Sequence, residues 1–212
     1  MGAHTGSAAR RGGVATHGEQ APRLTAVGLC HAAFAPVVWR AVRTCLQDDT
    51  LCLRPPRLED ATQHLAGDDV EQVRWLSGQP ATLDSVRAWI AREIAARAAG
   101  APLWDYAIWL QATGELVGNI EAKADQALVG IGPGDVNLAY VIFPAWRRQG
   151  LAARAVALVC NALADTEFEH AVIRTDPHNV ASIGVALRAG FALTGLIGPE
   201  SDRQLRFIRQ LR

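Results

Sequence analysis

From Val141 the chain reads VIFPAWRRQGLAARA, an apolar run that passes through Trp-Arg-Arg-Gln-Gly into an alanine-rich helical stretch. A strand that turns at a glycine and continues at once as a helix must pack that helix back on a sheet, so the fold is a layered mixture of α and β. The same junction suits an anion. The first turn of a helix has backbone N–H groups without partners, and its dipole adds partial positive charge. Gly150 permits a tight turn and a close approach of the backbone, while Arg147 and Arg148 bring charge-assisted hydrogen bonds. Together these fit a pyrophosphate. The nucleoside-triphosphatase pattern G-x-x-x-x-G-K-[ST] and the dinucleotide fingerprint G-x-G-x-x-G are both absent.

Elements on either side extend the alternation. LCLRPPRLEDA, from Leu51, reads as a short strand closed by Pro55-Pro56 and an acidic helix start. Leu83, Val86, Ile90 and Ile94 mark one face of an amphipathic helix that stops at Gly100. LWDYAIWL and ELVGNIEAKA flank Gln111–Gly114 as an antiparallel hairpin, and VNLAYVIF is the strand that runs into the opening motif. A helix over GLAARAVALVCNALAD, a strand HAVIRTD and a helix NVASIGVALRAG stopped by Gly190 follow; FALTGLIG and RQLRFIRQL close the chain as strands. The predicted order is β-α-α-β-β-β-α-β-α-β-β, a mixed sheet with helices on its faces. The loop Gly130–Asp135, GIGPGD, is read as a lid or a plain long hairpin connection.

Composition narrows the partners. Half of the residues are hydrophobic, enough for a real core. Basic and acidic residues balance at 21 each, so no global field draws nucleic acid or an anionic membrane, and any anion site must be built locally. Lys123 is the one lysine among the basic residues, a coding bias that hints at a GC-rich bacterial source. Cys30, Cys45, Cys52 and Cys160 show no CxxC and no paired ligand spacing, so reduced thiols and no metal are expected. The stretch Leu24–Trp39 is free of ionised side chains but falls short of the roughly 18–20 apolar residues of a membrane span. Arg10, Arg11 and Arg23, with Ala33-Phe34-Ala35, loosely resemble a signal peptide, yet the remainder reads as a cytoplasmic enzyme. Residues 1–50 are expected to be an extension, disordered or loosely helical with a helix over Leu24–Leu46, ahead of one domain at 51–212.

Three motifs in order carry a resemblance. Arg147-Arg148-Gln149-Gly150-Leu151-Ala152 resembles the Q/R-x-x-G-x-G/A motif of the GNAT acetyltransferase superfamily, between a strand and the following helix. NVASIGVALRAGF resembles that family's second signature, Asn-x-x-Ser-x-x-x-Ala-x-x-x-Gly-Phe, and LCLRPPRLEDA is similar to its opening strand. The resemblance spans Leu51 to Leu211. Ser182 with Ala186, where many members carry a tyrosine, resembles the branch of the RimJ and RimL ribosomal-protein N-terminal acetyltransferases.

The resemblance implies a twisted, mostly antiparallel sheet of about six or seven strands flanked by about four helices. It implies acetyl-CoA as acyl donor and a primary amine as acceptor, in a monomer or homodimer. Backbone groups of Val141, Ile142 and Phe143 would hold the pantetheine arm, and the amides of Arg148 to Ala152, including Gln149 and Leu151, the pyrophosphate. Asn179 would orient the arm or its helix, Arg188 would approach the adenosine phosphate, and Ser182 would donate to the departing thiolate. The branch's strand glutamate is replaced by Asn137, which cannot take a proton. Asp135, Glu121 and a water chain stay open as the base. His178 is read as a surface or capping residue. Of Trp75, Trp89, Trp104 and Trp109, each is read as core first and acceptor contact second. The alternative is a degenerate domain that binds coenzyme A or a partner without turnover.

Overall fold

The computed structural model describes residues 45–212, and the expectations for a disordered segment, a helix and a leader before Cys45 lie outside the described residues. Leu46, the last residue of that expected helix, is extended: Leu46–Gln47 (β1) pairs antiparallel with Leu51–Arg54 (β2). The sheet continues through Leu103–Leu110 (β3), Leu116–Lys123 (β4), Asp135–Ile142 (β5), His170–Thr175 (β6), Ala192–Ile197 (β7) and Gln204–Gln210 (β8). Its strand order is β1-β2-β3-β4-β5-β6-β8-β7, so the eight strands form one sheet in which the last two exchange places at the far edge. Only β5 and β6 are parallel. That pair joins two antiparallel halves.

Between β2 and β3 lie Ala61–Ala66 (α1), the short Val70–Gln72 (α2) with a π turn over Val73–Ser77, and Leu83–Ala98 (α3). The start of α3 follows from its sequence. Thr82 Oγ1 accepts from the Ser85 amide at 3.1 Å while Ser85 Oγ accepts from the Thr82 amide at 2.9 Å, a reciprocal cap. Val86 and Ile90 pack with Ala61, burying side chains worth about 1.5–3 kcal/mol each. Ile94, predicted on the same buried face, is exposed, because that packing is confined to the first half of the helix.

The other face of the sheet carries Leu151–Leu163 (α4) and Val180–Arg188 (α5). Leu151, Ala155, Val156, Val159, Cys160 and Leu163 form one stripe of α4, at helical spacing. They pack on Trp104, Tyr106, Ile108, Ile120 and Leu138, which alternate with residues of the opposite face along β3 to β5. The GIGPGD loop is pinned rather than lid-like: Gly130 O accepts from Arg206 at 2.7 Å, and Gly134 O accepts from the amides of Glu169 and His170. No helix among the described residues is long and apolar enough to cross a membrane.

Candidate active site

The parallel pair opens into a cleft. β5 and β6 are in register only at Asp135–His170, Val136–Ala171 and Asn137–Val172. Beyond Asn137, β5 stays paired with β4 as far as Ile142 while β6 diverges. The space between is about 760 Å³, and it is lined by β5 from Leu138 to Ile142, by the start of α4, by Ile173 to Asp176 and by α5.

Strand alternation decides which backbone groups face this space. The Phe143 amide donates to Val117 O at 2.8 Å, so Phe143 and Val141 turn their backbone groups towards β4. Those of Leu138, Tyr140 and Ile142 turn the other way, into the cleft. The expectation for Val141 to Phe143 therefore shifts by one residue and narrows, since Ile142 O is already taken by Arg147 Nε at 2.8 Å. The Phe143 side chain lies on the opposite face of the sheet, buried beside Ala107 and Val141.

At one end of the cleft the chain makes the anion seat. Arg148 and Gly150 both have left-handed backbone, φ 62° and 79°, and Gly150 caps α4. A Cβ at Gly150 would meet nothing, so the glycine serves the turn and not the space around it. The amides of Leu151 and Ala152 point out of the helix start without partners in the helix. The two arginines divide their work. Arg147 forms a two-pronged ion pair with Asp69, both bonds 2.8 Å, and clasps the α2 segment to the turn. Its charge is thus neutralised, and its guanidinium holds Asp69 below the usual carboxylate range. Arg148 lines the cleft with no ion pair among the described residues. Gln149 is exposed, with its side-chain amide on Ala145 O, and is outside the lining.

Midway along the cleft, three polar side chains meet. Asn179 caps α5 by accepting from the Ser182 amide at 3.0 Å. Ser182 Oγ lies 3.0 Å from Tyr140 Oη, a hydrogen bond in which either hydroxyl donates. Burial pushes the Tyr140 hydroxyl up to about 12, against the Ser182 bond and the Arg188 charge, so it keeps its proton at neutral pH. Arg188 lies against Gly184 on its own helix, with its charge acting on Tyr140. Ala186 is fully buried. Tyr140 belongs to none of the motifs; its signal in the sequence is a lone hydroxyl-bearing aromatic in the aliphatic run LAYVI.

Across the sheet from α4, carboxylates gather. Asp105 on β3 stands directly opposite Glu121 on β4, which stands opposite Ala139, a residue that lines the cleft. Burial raises Asp105 well above the ordinary carboxylate range, and Glu121 and Glu93 raise it further. Burial also raises Glu121, with Glu93 next in effect, and burial raises Glu93. Like charges directly opposite on neighbouring strands repel, which adds to the upward push of burial. Asp105 and Glu93 lie outside the motifs, although an aspartate inside LWDYAIWL is a visible anomaly.

Two further candidates are elsewhere. Asp135 is buried with both oxygens engaged: Oδ2 accepts from Arg206 at 2.8 Å and Gly132 at 3.0 Å, and Oδ1 sits 3.2 Å from His170 Nδ1. Three residues before Leu138 on an extended strand, it lies about 10 Å along β5 from the first lining residue. Asn137 Oδ1 accepts from Arg174 Nε at 3.2 Å. Trp75 lines the cleft, Trp104 is core, and Trp89 stacks edge-on with His64. His178 is exposed and bonded to Asp176. Among the described residues no group of three or more His, Cys, Asp or Glu is arranged to hold a metal ion.

Residues 50–192, more than half of the chain, match the acetyltransferase (GNAT) domain. Among solved structures, a GNAT-family acetyltransferase from Bacillus anthracis is 15% identical at a TM-score of 0.66, over 79% of this chain and 98% of its own. RimL, a ribosomal L7/L12 alpha-N-protein acetyltransferase in complex with coenzyme A, is 17% identical at a TM-score of 0.66, over 78% and 97%. The aminoglycoside acetyltransferase AAC(6')-Ib in complex with coenzyme A is 17% identical at a TM-score of 0.63, over 76% and 94%. At these identities the likeness is one of fold. A comparison with curated protein sequences yields no match.

Proposed function

The chain belongs to the GNAT acetyltransferase family, and from that premise we propose that it moves an acetyl group from coenzyme A to a primary amine by direct attack. The observation that carries the reading is the opening between β5 and β6, which runs from the helix start at Gly150 to the hydroxyls of Ser182 and Tyr140. Its free backbone edge fits a slender arm bearing amides, and its anion seat fits a pyrophosphate. Arg148 supplies the charge at the phosphates, and Arg147 shapes the turn through Asp69. Arg188 is a partner for Tyr140 and the coenzyme alike.

Glu121 is the base of choice. Its raised pKa favours proton uptake, and its cross-strand partner Ala139 lines the cleft. Glu121 takes a proton from the acceptor ammonium, and the amine lone pair forms the new C–N bond at the thioester carbonyl. The C–S bond then breaks with its electron pair left on sulfur. Ser182 returns a proton to that sulfur and is resupplied through Tyr140, while the second proton that the nitrogen sheds as the amide forms passes to water, which refills the pair. Asn137 orients, and Asp135 braces the sheet. Positioning and carbonyl polarisation carry most of the rate gain. The acidic surroundings of Glu121 favour a cationic acceptor: a protein N-terminus, an amino acid, an amino sugar or an aminoglycoside-like antibiotic. The setting is cytoplasmic, in the RimJ/RimL-like branch.

Asn137, with its oxygen engaged by Arg174, and the hydroxyl-free Ala186 favour a second reading, a domain that binds coenzyme A without turnover. Thiol release from acetyl-CoA across a panel of amines and N-terminal peptides separates the two. Acetylation of one acceptor class supports the enzyme. Tight coenzyme binding with silence across the panel sinks it.

A further inference from the structure

Two thiols outside this chemistry lie side by side at the edge of the sheet. Cys45 precedes β1 and Cys52 lies within β2, where the register sets Gln47 opposite Cys52 and Leu46 opposite Leu53. Cys45 therefore reaches Cys52 diagonally, and their sulfurs approach to 2.8 Å, against roughly 2.05 Å in a covalent disulfide. Both are free and half-buried, unlike Cys160, which is buried in α4. The turn between them is already formed. Asp48 Oδ1 accepts from the amides of Thr50 at 2.9 Å and Leu51 at 2.7 Å, and the Gln111 amide donates to Thr50 O at 2.9 Å. A pre-formed turn keeps the thiols at high effective concentration, so closure needs only a sub-ångström movement of the sulfurs.

We propose that Cys45 and Cys52 are a modification site, closing to an intramolecular disulfide by exchange with a small disulfide of the glutathione type. One cysteine thiolate attacks the small disulfide, its S–S bond breaks, and one glutathione thiol leaves. The second cysteine loses its proton and attacks the protein-side sulfur of the mixed disulfide, releasing the second glutathione thiol. Two protein thiols are oxidised and one glutathione disulfide is reduced. Burial, with Cys52 alongside, pushes the Cys45 thiol up to about 11, so mildly alkaline solution favours the exchange.

The position gives the bond a consequence. Asp48 and Asp49 in the turn both hold Arg154 Nη1, at 2.9 and 2.6 Å, and Arg154 lies in the first turns of α4, the helix that begins at the anion seat. A closed disulfide braces the hairpin against that helix. The test is made on the full chain. Trypsin releases both cysteines in one peptide, 44–57, because Arg54 precedes Pro55. After incubation with glutathione disulfide at mildly alkaline pH and thiol alkylation, that peptide is expected unalkylated and lighter by two hydrogens than its reduced form. Cys160→Ser behaves alike; Cys45→Ser and Cys52→Ser lose the product. The oxidised protein should melt about 5 °C higher than the reduced one. Two alkyl groups on the peptide, glutathione retained on either cysteine, or a link to Cys30 overturns the proposal. The wild-type peptide mass decides the matter even where a serine variant folds poorly.

Discussion

Replacing Tyr140 by phenylalanine keeps the ring that packs against the core and removes only the hydroxyl that meets Ser182. The structural loss is one hydrogen bond, worth about 1 kcal/mol net, which for a domain of this size lowers Tm by about 2–4 °C. The catalytic loss is larger. A positioned acid contributes about 10² to 10⁴ in rate, so the variant should show kcat lowered about 100-fold, equal to about 2.7 kcal/mol of barrier. KM for acetyl-CoA should change little, because Gly150 and Arg148 are untouched. Ser182→Ala should fall by a similar factor, and the double variant should be hardly worse than either single one, since the two hydroxyls act as a unit. The assay is continuous thiol release at saturating amine, with melting curves alongside. A Tyr140→Phe enzyme with unchanged kcat beside a crippled Ser182→Ala enzyme would reduce Tyr140 to packing. Additive losses would break the relay into two independent roles.

Three other outcomes follow from the site and its surroundings. Arg148→Glu should weaken coenzyme binding about tenfold or more by calorimetry with little change in stability, whereas Arg147→Ala should cost about 1–2 kcal/mol of stability through the freed Asp69. Glu121→Gln should lower kcat/KM about 100-fold, and wild-type activity should fall on the acid side at a pH above the ordinary glutamate value. His64 is buried between Trp89 and Phe143 and depressed to about 4. Its folded-state pKa lies below its unfolded value of 6.5, so its contribution is full above pH 6.5 and is lost as pH falls towards 4, by about 3 kcal/mol. His64→Leu should flatten denaturant-measured stability between those limits, and an unchanged pH slope would refute the assignment.

The sequence made some of this legible and concealed the rest for physical reasons. Periodicity in α4 predicts its buried stripe because one helix face meets one sheet. It misplaces Ile94, since only half of α3 finds a partner. Motif spacing located Gly150, Asn179 and Ser182, which line the cleft. It could not show that Arg147 faces Asp69, because that pair joins residues 78 positions apart. Nor could it distribute the backbone groups of β5, which depends on the register with β4. Cys45 and Cys52 look unremarkable in a linear spacing and become neighbours only when β1 folds back on β2.

The short run of parallel pairing between β5 and β6 has a bearing on donor choice. A gap at the rim of a sheet invites any passing strand, including another copy of the chain. This gap is interior, walled by α4 and α5 on one side, and its open edge is the backbone of Leu138 and Tyr140. Such an edge offers hydrogen bonds along the length of a carrier as well as at its tip. A guest held there is also protected from strand addition by other chains, because the strands on either side already belong to the sheet.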